Sequence, residues 1–249
     1  NSKLSISELT TKLDSLLNAS IERRLISDVP IASINSGGLD SSLISAIAYK
    51  VNGLKMYHVD VDGHSEIYYA QLLAQYLSEE LVVRNISVTD VEENLDDVIK
   101  YLEYPLVHSN SFGISEVSKL ARENGIKVLL GGEGADELFG GYPWRYHVSK
   151  ERQPRSQFIG NYYSKWQRLL TQNEFGRLFS ISKQKPKTDI AFEIFAGIFA
   201  KFEEKTLTRG EMLNMCLFFE AKTFLHSLLN VEDKLSMSHG LETRVPFLD

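Results

Sequence analysis

A chain of 249 residues sets a prior between one and two domains, and 43% hydrophobic with 24% charged residues is ordinary globular composition, which excludes disordered, collagen-like and low-complexity classes. Twenty-seven basic against 33 acidic residues leave a net charge of −6, which gives no support to a nucleic-acid-binding or membrane surface. The single cysteine, Cys216, excludes an intrachain disulfide and leads to the expectation of a reducing, cytoplasmic setting. No run of about 18 apolar residues is present to span a bilayer, and the polar, amphipathic first turns do not read as a secretory signal.

Ser5 and Glu8 stand at capping-box spacing, and Leu9, Leu13, Leu16 and Leu17 then share one helical face. Residues 29–34 form a short, mostly apolar run that reads as a buried strand. The segment 41–51 reads as a helix, with Ile44, Ile47, Ala48 and Val51 at i, i+3, i+4 and i+7. A β-rich run over 56–61 precedes a second helical stripe of Ala70, Leu73, Ala74 and Leu77. Residues 81–88 read as a strand, and 91–102 as a helix that ends before Pro105. Ile114, Val117 and Ala121 mark another helix, with Gly125 just past its end, and 126–130 is the last clear strand.

Such alternation predicts an α/β fold, a doubly wound parallel sheet covered on both faces, over residues 1–141. Beyond it, 142–249 reads as a helical layer, with no strand expected between 142 and 230. Met212, Met215, Cys216 and Phe219 fall on one helical face there, as do Phe192, Phe195, Phe199 and Phe202. Both stripes read as helix core, and Cys216 as a buried core residue. Ligands of open parallel sheets sit at the carboxyl ends of the strands, so the chemistry is expected in the loops after Ile34 and Leu130.

The first of these loops, Ser36-Gly37-Gly38-Leu39-Asp40-Ser41-Ser42, follows a strand and opens a helix. Adjacent glycines let the backbone approach a ligand and turn its N–H groups inward. Ser36, Ser41 and Ser42 add hydroxyl donors, and the helix N-terminus adds partial positive charge. Together they make an anion cradle suited to phosphate. Asp40 repels phosphate unless Mg2+ bridges the two. The string is neither a Walker A loop nor G-x-G-x-x-G, and its plainer reading is a turn capped by serine and aspartate.

The second loop, residues 131–142, combines Glu133, Asp136 and Glu137 with five glycines. Asp136 and Asp40 are the pair expected to share Mg2+, and Glu133 is a candidate general base or amine-orienting group. A solvated acidic turn is the competing reading. His58, His64, His108, His147, His226 and His239 show no metal-ligand spacing. Asp60 and Asp62 end a strand and suit either ribose or solvent. Tyr142, Trp144 and Tyr146 read as core packing, with a wall of the acceptor pocket as the alternative.

At these residues a resemblance emerges. The string 36–42 resembles the PP-loop of ATP pyrophosphatases, which cleave ATP between the α and β phosphates. The acidic loop, the segment Met237-Ser-His-Gly-Leu-Glu-Thr-Arg-Val-Pro-Phe-Leu-Asp249 and the segment Arg24-Leu-Ile-Ser-Asp-Val-Pro30 resemble the synthetase domain of glutamine-hydrolysing asparagine synthetases. β-Lactam synthetases and lasso-peptide cyclases share that domain. The resemblance implies that Ser36, Gly37, Gly38, Asp40, Ser41 and Ser42 hold the pyrophosphate part of ATP. It implies that Ile34, Val59 and Gly132 line the adenosine pocket, that Asp40 and Asp136 bind Mg2+, and that Glu133 is catalytic. It implies a carboxylate adenylated by ATP and then captured by an amine, with ammonia and aspartate as the asparagine case. Glu242 and Arg244 read as a structural ion pair.

Departures accompany the likeness. The family's glutaminase half uses an N-terminal cysteine nucleophile, so a glutaminase domain is expected elsewhere in the full-length protein or on a separate chain. The family's phosphate-contacting lysine is expected beyond residue 249. Ser109 stands where asparagine synthetases carry an arginine near the acceptor, which weakens aspartate as the substrate. Another acceptor, as in lactam formation, and a non-catalytic ATP-binding module are the alternatives, and a homodimer is compatible with all of them.

Overall fold

The computed structural model describes residues 4–61, 66–104, 110–146, 151–166, 174, 177 and 190–249. Two compact units divide the chain: one takes residues 1–135 and 227–249, the other residues 136–226.

In the first unit, helix α1 (Ile6–Arg24) starts at a capping box in which Ser5 accepts the Glu8 amide and Glu8 accepts the Ser5 amide. The expected apolar face is only partly used. Leu9, Leu13 and Leu16 are 42–58% exposed, and burial falls on Leu17, Ser20 and Ile21, because only the last turns of α1 pack against other described residues. Strand β1 (Ile31–Ile34) begins later than the apolar run, after Pro30. Proline has no N–H for the ladder, but its carbonyl still accepts the amides of Lys127 and Val128. Helix α2 (Leu39–Asn52), strand β2 (Met56–Val61), helix α3 (Ile67–Leu77) and strand β3 (Leu81–Ile86) follow the expected alternation. β3 stops short of residue 88 because Ser87 caps helix α4 (Val88–Leu102) through a second capping box, with Asp90. Helix α5 (Asn110–Glu123) ends ahead of Gly125, which takes φ +79°, and leads to strand β4 (Val128–Leu130).

A fifth strand escapes the sequence reading. β7 (Glu242–Arg244) pairs in parallel with β4, with Val128 opposite Glu242 and Leu130 opposite Arg244. Its short polar sequence, Glu-Thr-Arg, carries no apolar signal. The sheet order is β3-β2-β1-β4-β7, all parallel. Successive residues face opposite helices, as the pleat requires. Ala32, Tyr57 and Leu129 meet α5 through Val117, Leu120 and Ala121. Ile31 and Leu130 meet α1 and α2 through Leu17, Ile21, Ile44 and Ala48. Helices therefore cover both faces, the doubly wound α/β arrangement expected. The chain winds outward from β1 to β2 and β3, then returns to place β4 on the other side of β1. The order reverses between β1 and β4, and such a switch point is where open α/β sheets bind ligands, outside the carboxyl ends of the strands.

The second unit is mainly helical: α6 (Ala135–Phe139, whose first residue closes the first unit), α7 (Arg155–Trp166), α8 (Ile190–Gly197), α9 (Arg209–Lys222) and the first turn of α10 (Phe224–Ser238). The two sequence stripes merge in one core, where Phe195, Phe199, Met212, Met215, Cys216 and Phe219 pack with Phe158 and Tyr162. Cys216 is fully buried, as expected. The expectation of no strand here is corrected by a two-residue antiparallel pair, β5 (Gln153–Pro154) with β6 (Thr206–Leu207), too short to leave a periodic signal. Among the described residues no helix is long and apolar enough to cross a membrane.

Candidate active site

The loop after β1 is built on Asn35, a fully buried residue that the sequence reading passed over. Its backbone continues the β1–β2 ladder by donating to the Tyr57 carbonyl at 2.9 Å. Its side-chain Oδ1 accepts the Gly37 amide at 3.1 Å and the Ser42 hydroxyl at 3.4 Å, while Nδ2 donates to the Ala70 carbonyl at 3.4 Å. One amide thus ties the strand end, the glycine turn, α2 and α3 together. The carbonyl of Asn35 accepts from His58 Nδ1 at 2.7 Å, which fixes the proton on that nitrogen. The visible signal was an asparagine between an apolar strand and Ser-Gly-Gly, a position where an amide can bond to its own turn.

Gly37 takes φ +91°, and an added Cβ would meet the Glu66 carbonyl oxygen at 2.6 Å, so glycine is required on two counts. Gly38 is the N-cap of α2 and has no side chain to cap it, so the first amides of α2 lack the usual intrahelical acceptor. Ser36 and Ser41 share a hydroxyl–hydroxyl bond at 2.9 Å, Ser41 Oγ accepts the Ser36 amide at 3.2 Å, and Ser36 Oγ accepts the Gly38 amide at 3.3 Å. The serines thus shape the turn in this structure. Asp40 lies in the first turn of α2, partly exposed.

The loop after β4 meets this cradle inside the first unit. A Cβ on Gly132 would stand 3.0 Å from the Ser41 amide nitrogen, so the bare backbone of one loop faces the helix start of the other. The Gly131 amide donates to the Arg244 carbonyl at 2.9 Å, and a Cβ on Gly131 would collide with the Glu133 carboxylate, which folds back over it. Gly134, at φ +93°, makes room for Leu248 in the same way. Ile34 and Val59 sit half-buried at the carboxyl ends of β1 and β2. Ile34, Ser36, Gly37, Gly38, Asp40, Ser41, Ser42, Val59, Gly132 and Glu133 all therefore lie at the carboxyl edge of one sheet, and Asp136 opens the second unit.

Glu232, on α10, was missed. It lies among the buried positions Leu225, Leu235 and Ser236, on the helical spacing that marks a core face, so an acid in that stripe was the available signal. Burial, and next the charge of Glu133, push its carboxyl well above the usual range. Burial and the neighbouring Glu133 carboxylate thus both favour the protonated form of Glu232.

In the second unit, Gly141 presents its bare Cα to the Asp136 carboxylate, and the amides of Gly140 and Gly141 donate to the Asp136 carbonyl at 2.8 and 3.0 Å. Glu137 is buried, which raises its carboxyl, and it accepts the Tyr142 hydroxyl at 2.9 Å. Tyr142 packs edge-on to Phe224, while Trp144 is 74% exposed. Among the described residues no three His, Cys, Asp or Glu side chains form a ready metal cage. An oxygen-only donor set completed by phosphate is the pattern that Mg2+ takes. Asp62, His64, Pro105, His108, Ser109, His147 and Lys150 lie outside the described residues.

Sheet order, switch point and the uncapped glycine–serine turn define an α/β protein of the PP-loop type. The chain belongs to the asparagine synthase family, whose model, described as Asparagine synthase, matches residues 12–249. It is 35% identical over 150 residues to a putative glutamine-hydrolysing asparagine synthetase 1 of Methanocaldococcus jannaschii, covering 59% of this chain and 28% of the relative. It is 28% identical to asparagine synthetase [glutamine-hydrolyzing] 3 of Bacillus subtilis, covering 98% of this chain and 41% of that protein. An amidase, chry2, of Gibberella zeae is 23% identical over 97% of this chain and 44% of its own. The chain spans less than half the length of these relatives.

Proposed function

We propose that this chain is the ATP-dependent synthetase portion of an amide-forming ligase, acting through an acyl-adenylate. The observation that carries the reading is the glycine-lined cradle in which the uncapped start of α2 faces Gly132. The first amides of a helix, with no side-chain bulk over them, hold a polyphosphate by donors and helix dipole together.

In the first step a carboxylate oxygen of the acceptor attacks the α-phosphorus of ATP, and the bond to the β-phosphate oxygen breaks. Pyrophosphate leaves into the cradle of Ser36, Gly37, Gly38, Ser41 and Ser42. Asp40 and Asp136 are the carboxylates proposed for Mg2+, which when bound supplies neutralising charge for the departing pyrophosphate. Ile34, Val59 and Gly132 would border the adenosine. In the second step an amine nitrogen attacks the acyl carbon, the carbon–oxygen bond to AMP breaks, and Glu133 accepts the proton released from nitrogen. Glu232 stands beside Glu133, its carboxyl raised by burial and by that neighbour.

Aspartate with ammonia is the first acceptor and amine to try, since relatives over nearly the whole chain are named asparagine synthetases. Their glutamine-hydrolysing names support ammonia delivered by a glutaminase domain. The likeness to a protein named an amidase supports a second reading, chemistry at an amide bond other than that of asparagine. The test is pyrophosphate and AMP release by the full-length protein with Mg2+, ATP and ammonium, over a panel of carboxylates headed by aspartate. One equivalent of each product per amide is expected. No pyrophosphate from any acceptor overturns the ligase reading and leaves a nucleotide-binding module.

A further inference from the structure

Arg145 is 7% exposed, in a mainly helical unit whose core cluster is largely aromatic and aliphatic. Its guanidinium lies 3.7 Å from the centre of the Phe224 ring and 4.9 Å from those of Tyr142 and Trp166. Its Nη2 stands 3.5 Å from Oε2 of Glu220, which is fully buried. A cation held this far from water is costly unless rings and a carboxylate fix it in one place. Arg145 reaches the acidic loop by two routes, one through its side chain and one through its backbone. Through the Tyr142 ring it sets the hydroxyl that donates to Glu137 at 2.9 Å. Along the backbone, the Arg145 amide donates to the Tyr142 carbonyl at 2.9 Å, and the Tyr146 hydroxyl accepts the Tyr142 amide and donates to the Asp136 carbonyl, both at 3.4 Å.

We propose that Arg145, clamped by Tyr142, Trp166, Phe224 and Glu220, is a positioning residue that presents the Asp136 carboxylate for a divalent cation. The inference rests on the reading of Asp136 as a cation ligand. It gives a task to a buried ion pair that packing alone does not require, since a hydrophobic replacement of similar volume is often as stable. Lysine keeps the charge but loses the planar face and the fork, so it cannot replace Arg145 in a stack of rings.

The experiment is a Mn2+ titration of the full-length protein, followed by electron paramagnetic resonance, with saturating α,β-methylene-ATP, and with thermal melts alongside. Arg145→Lys and Glu220→Gln are each expected to weaken Mn2+ roughly tenfold or more, the effect of disturbing a residue that orients a metal ligand. The double variant is expected to be no weaker than the worse single one. Nucleotide affinity measured without divalent ion is expected to stay within about twofold. A folded Arg145→Lys protein with unchanged Mn2+ affinity overturns the inference, whatever its melting temperature. Should either variant fail to fold, Tyr142→Phe removes only the hydroxyl on Glu137; a weakening of about threefold supports the inference, and no change overturns it. If Asp136→Asn binds Mn2+ as the unaltered protein does, the underlying reading of Asp136 fails instead, and the two failures are told apart.

Discussion

Asn35 Oδ1 accepts the Gly37 amide at 3.1 Å, which makes a buried side chain the internal template of the glycine turn. Asn35→Ala strips acceptor and donor together and takes the side-chain acceptor away from the Gly37 amide and the Ser42 hydroxyl. The expected cost is about 1–3 kcal/mol of stability, read by denaturant unfolding. ATP affinity should fall roughly tenfold, since a misplaced turn loses the oriented amides that anion binding uses. Unchanged affinity in a destabilised but folded variant would show that the turn keeps its shape without the template.

Gly132 gives a cleaner separation of binding from folding. Its Cβ would stand 3.0 Å from the Ser41 amide nitrogen, tight enough that either loop must yield a few tenths of an ångström. Its φ lies outside the left-handed region, so alanine adds bulk without backbone strain. Gly132→Ala should therefore melt within a few degrees of the unaltered chain while ATP affinity drops about tenfold or more. Gly37→Ala should instead lose about 1–3 kcal/mol of stability, because φ +91° and the Glu66 carbonyl both oppose a side chain. Calorimetric titration beside thermal melts tests the contrast, and equal melting losses in the two variants would sink it.

How much of this was legible follows from what each residue needs in order to be seen. Alternating apolar runs announced β1 to β4 and their helices, because burial on both sheet faces requires apolar residues at regular spacing. β7 was invisible, since Glu242, Thr243 and Arg244 join the sheet through backbone bonds alone. The glycine–serine turn was readable because its conformations demand particular residues. The partners that tune it were not: Asn35, Glu232 and Arg145 are polar groups made useful by burial, and burial belongs to the fold. Leu9, Leu13 and Leu16 show the opposite error, a clear helical stripe that the described residues leave exposed.

Glu232 yields a pH prediction. Its carboxyl is raised well above its ordinary 4.5 by burial and then by Glu133, so the folded state holds the proton more tightly than the unfolded chain. The sign follows. The protonated group carries no penalty below about pH 4.5, and stability is progressively lost as pH rises from there through the folded-state value. Glu232→Gln keeps the shape of the protonated acid and cannot ionise. The difference in melting temperature, variant minus unaltered, should be near zero at pH 4 and grow more positive toward pH 8. A constant difference across that range would mean that Glu232 does not titrate upon unfolding. In pyrophosphate release the rate profile of the same variant should lose any limb that belongs to the Glu232–Glu133 pair.

Arg244 and Glu242 form the ion pair expected from the sequence, Nε to Oε1 at 2.6 Å, but the two ends of it carry unequal weight. Glu242 is 59% exposed at its side chain, and an exposed pair contributes about 0–1 kcal/mol. Arg244 does more, since its Nη1 donates to the carbonyls of Arg24 and Ile26 at 2.7 and 2.9 Å, closing the end of α1 onto the edge strand β7. Its backbone carbonyl meanwhile accepts from Gly131, at the root of the acidic loop. Arg244→Ala should cost about 1.5–3 kcal/mol, the range for hydrogen bonds from a charged donor, the Arg24 carbonyl being the half-buried acceptor left behind. Glu242→Ala should cost less than about 1 kcal/mol. Salt separates the cases further: about 1 M NaCl should remove the Glu242 contribution by screening and leave most of the Arg244 one. Equal losses in the two variants, both abolished by salt, would return Arg244 to the role of a simple surface charge, with β7 held by its ladder to β4 alone.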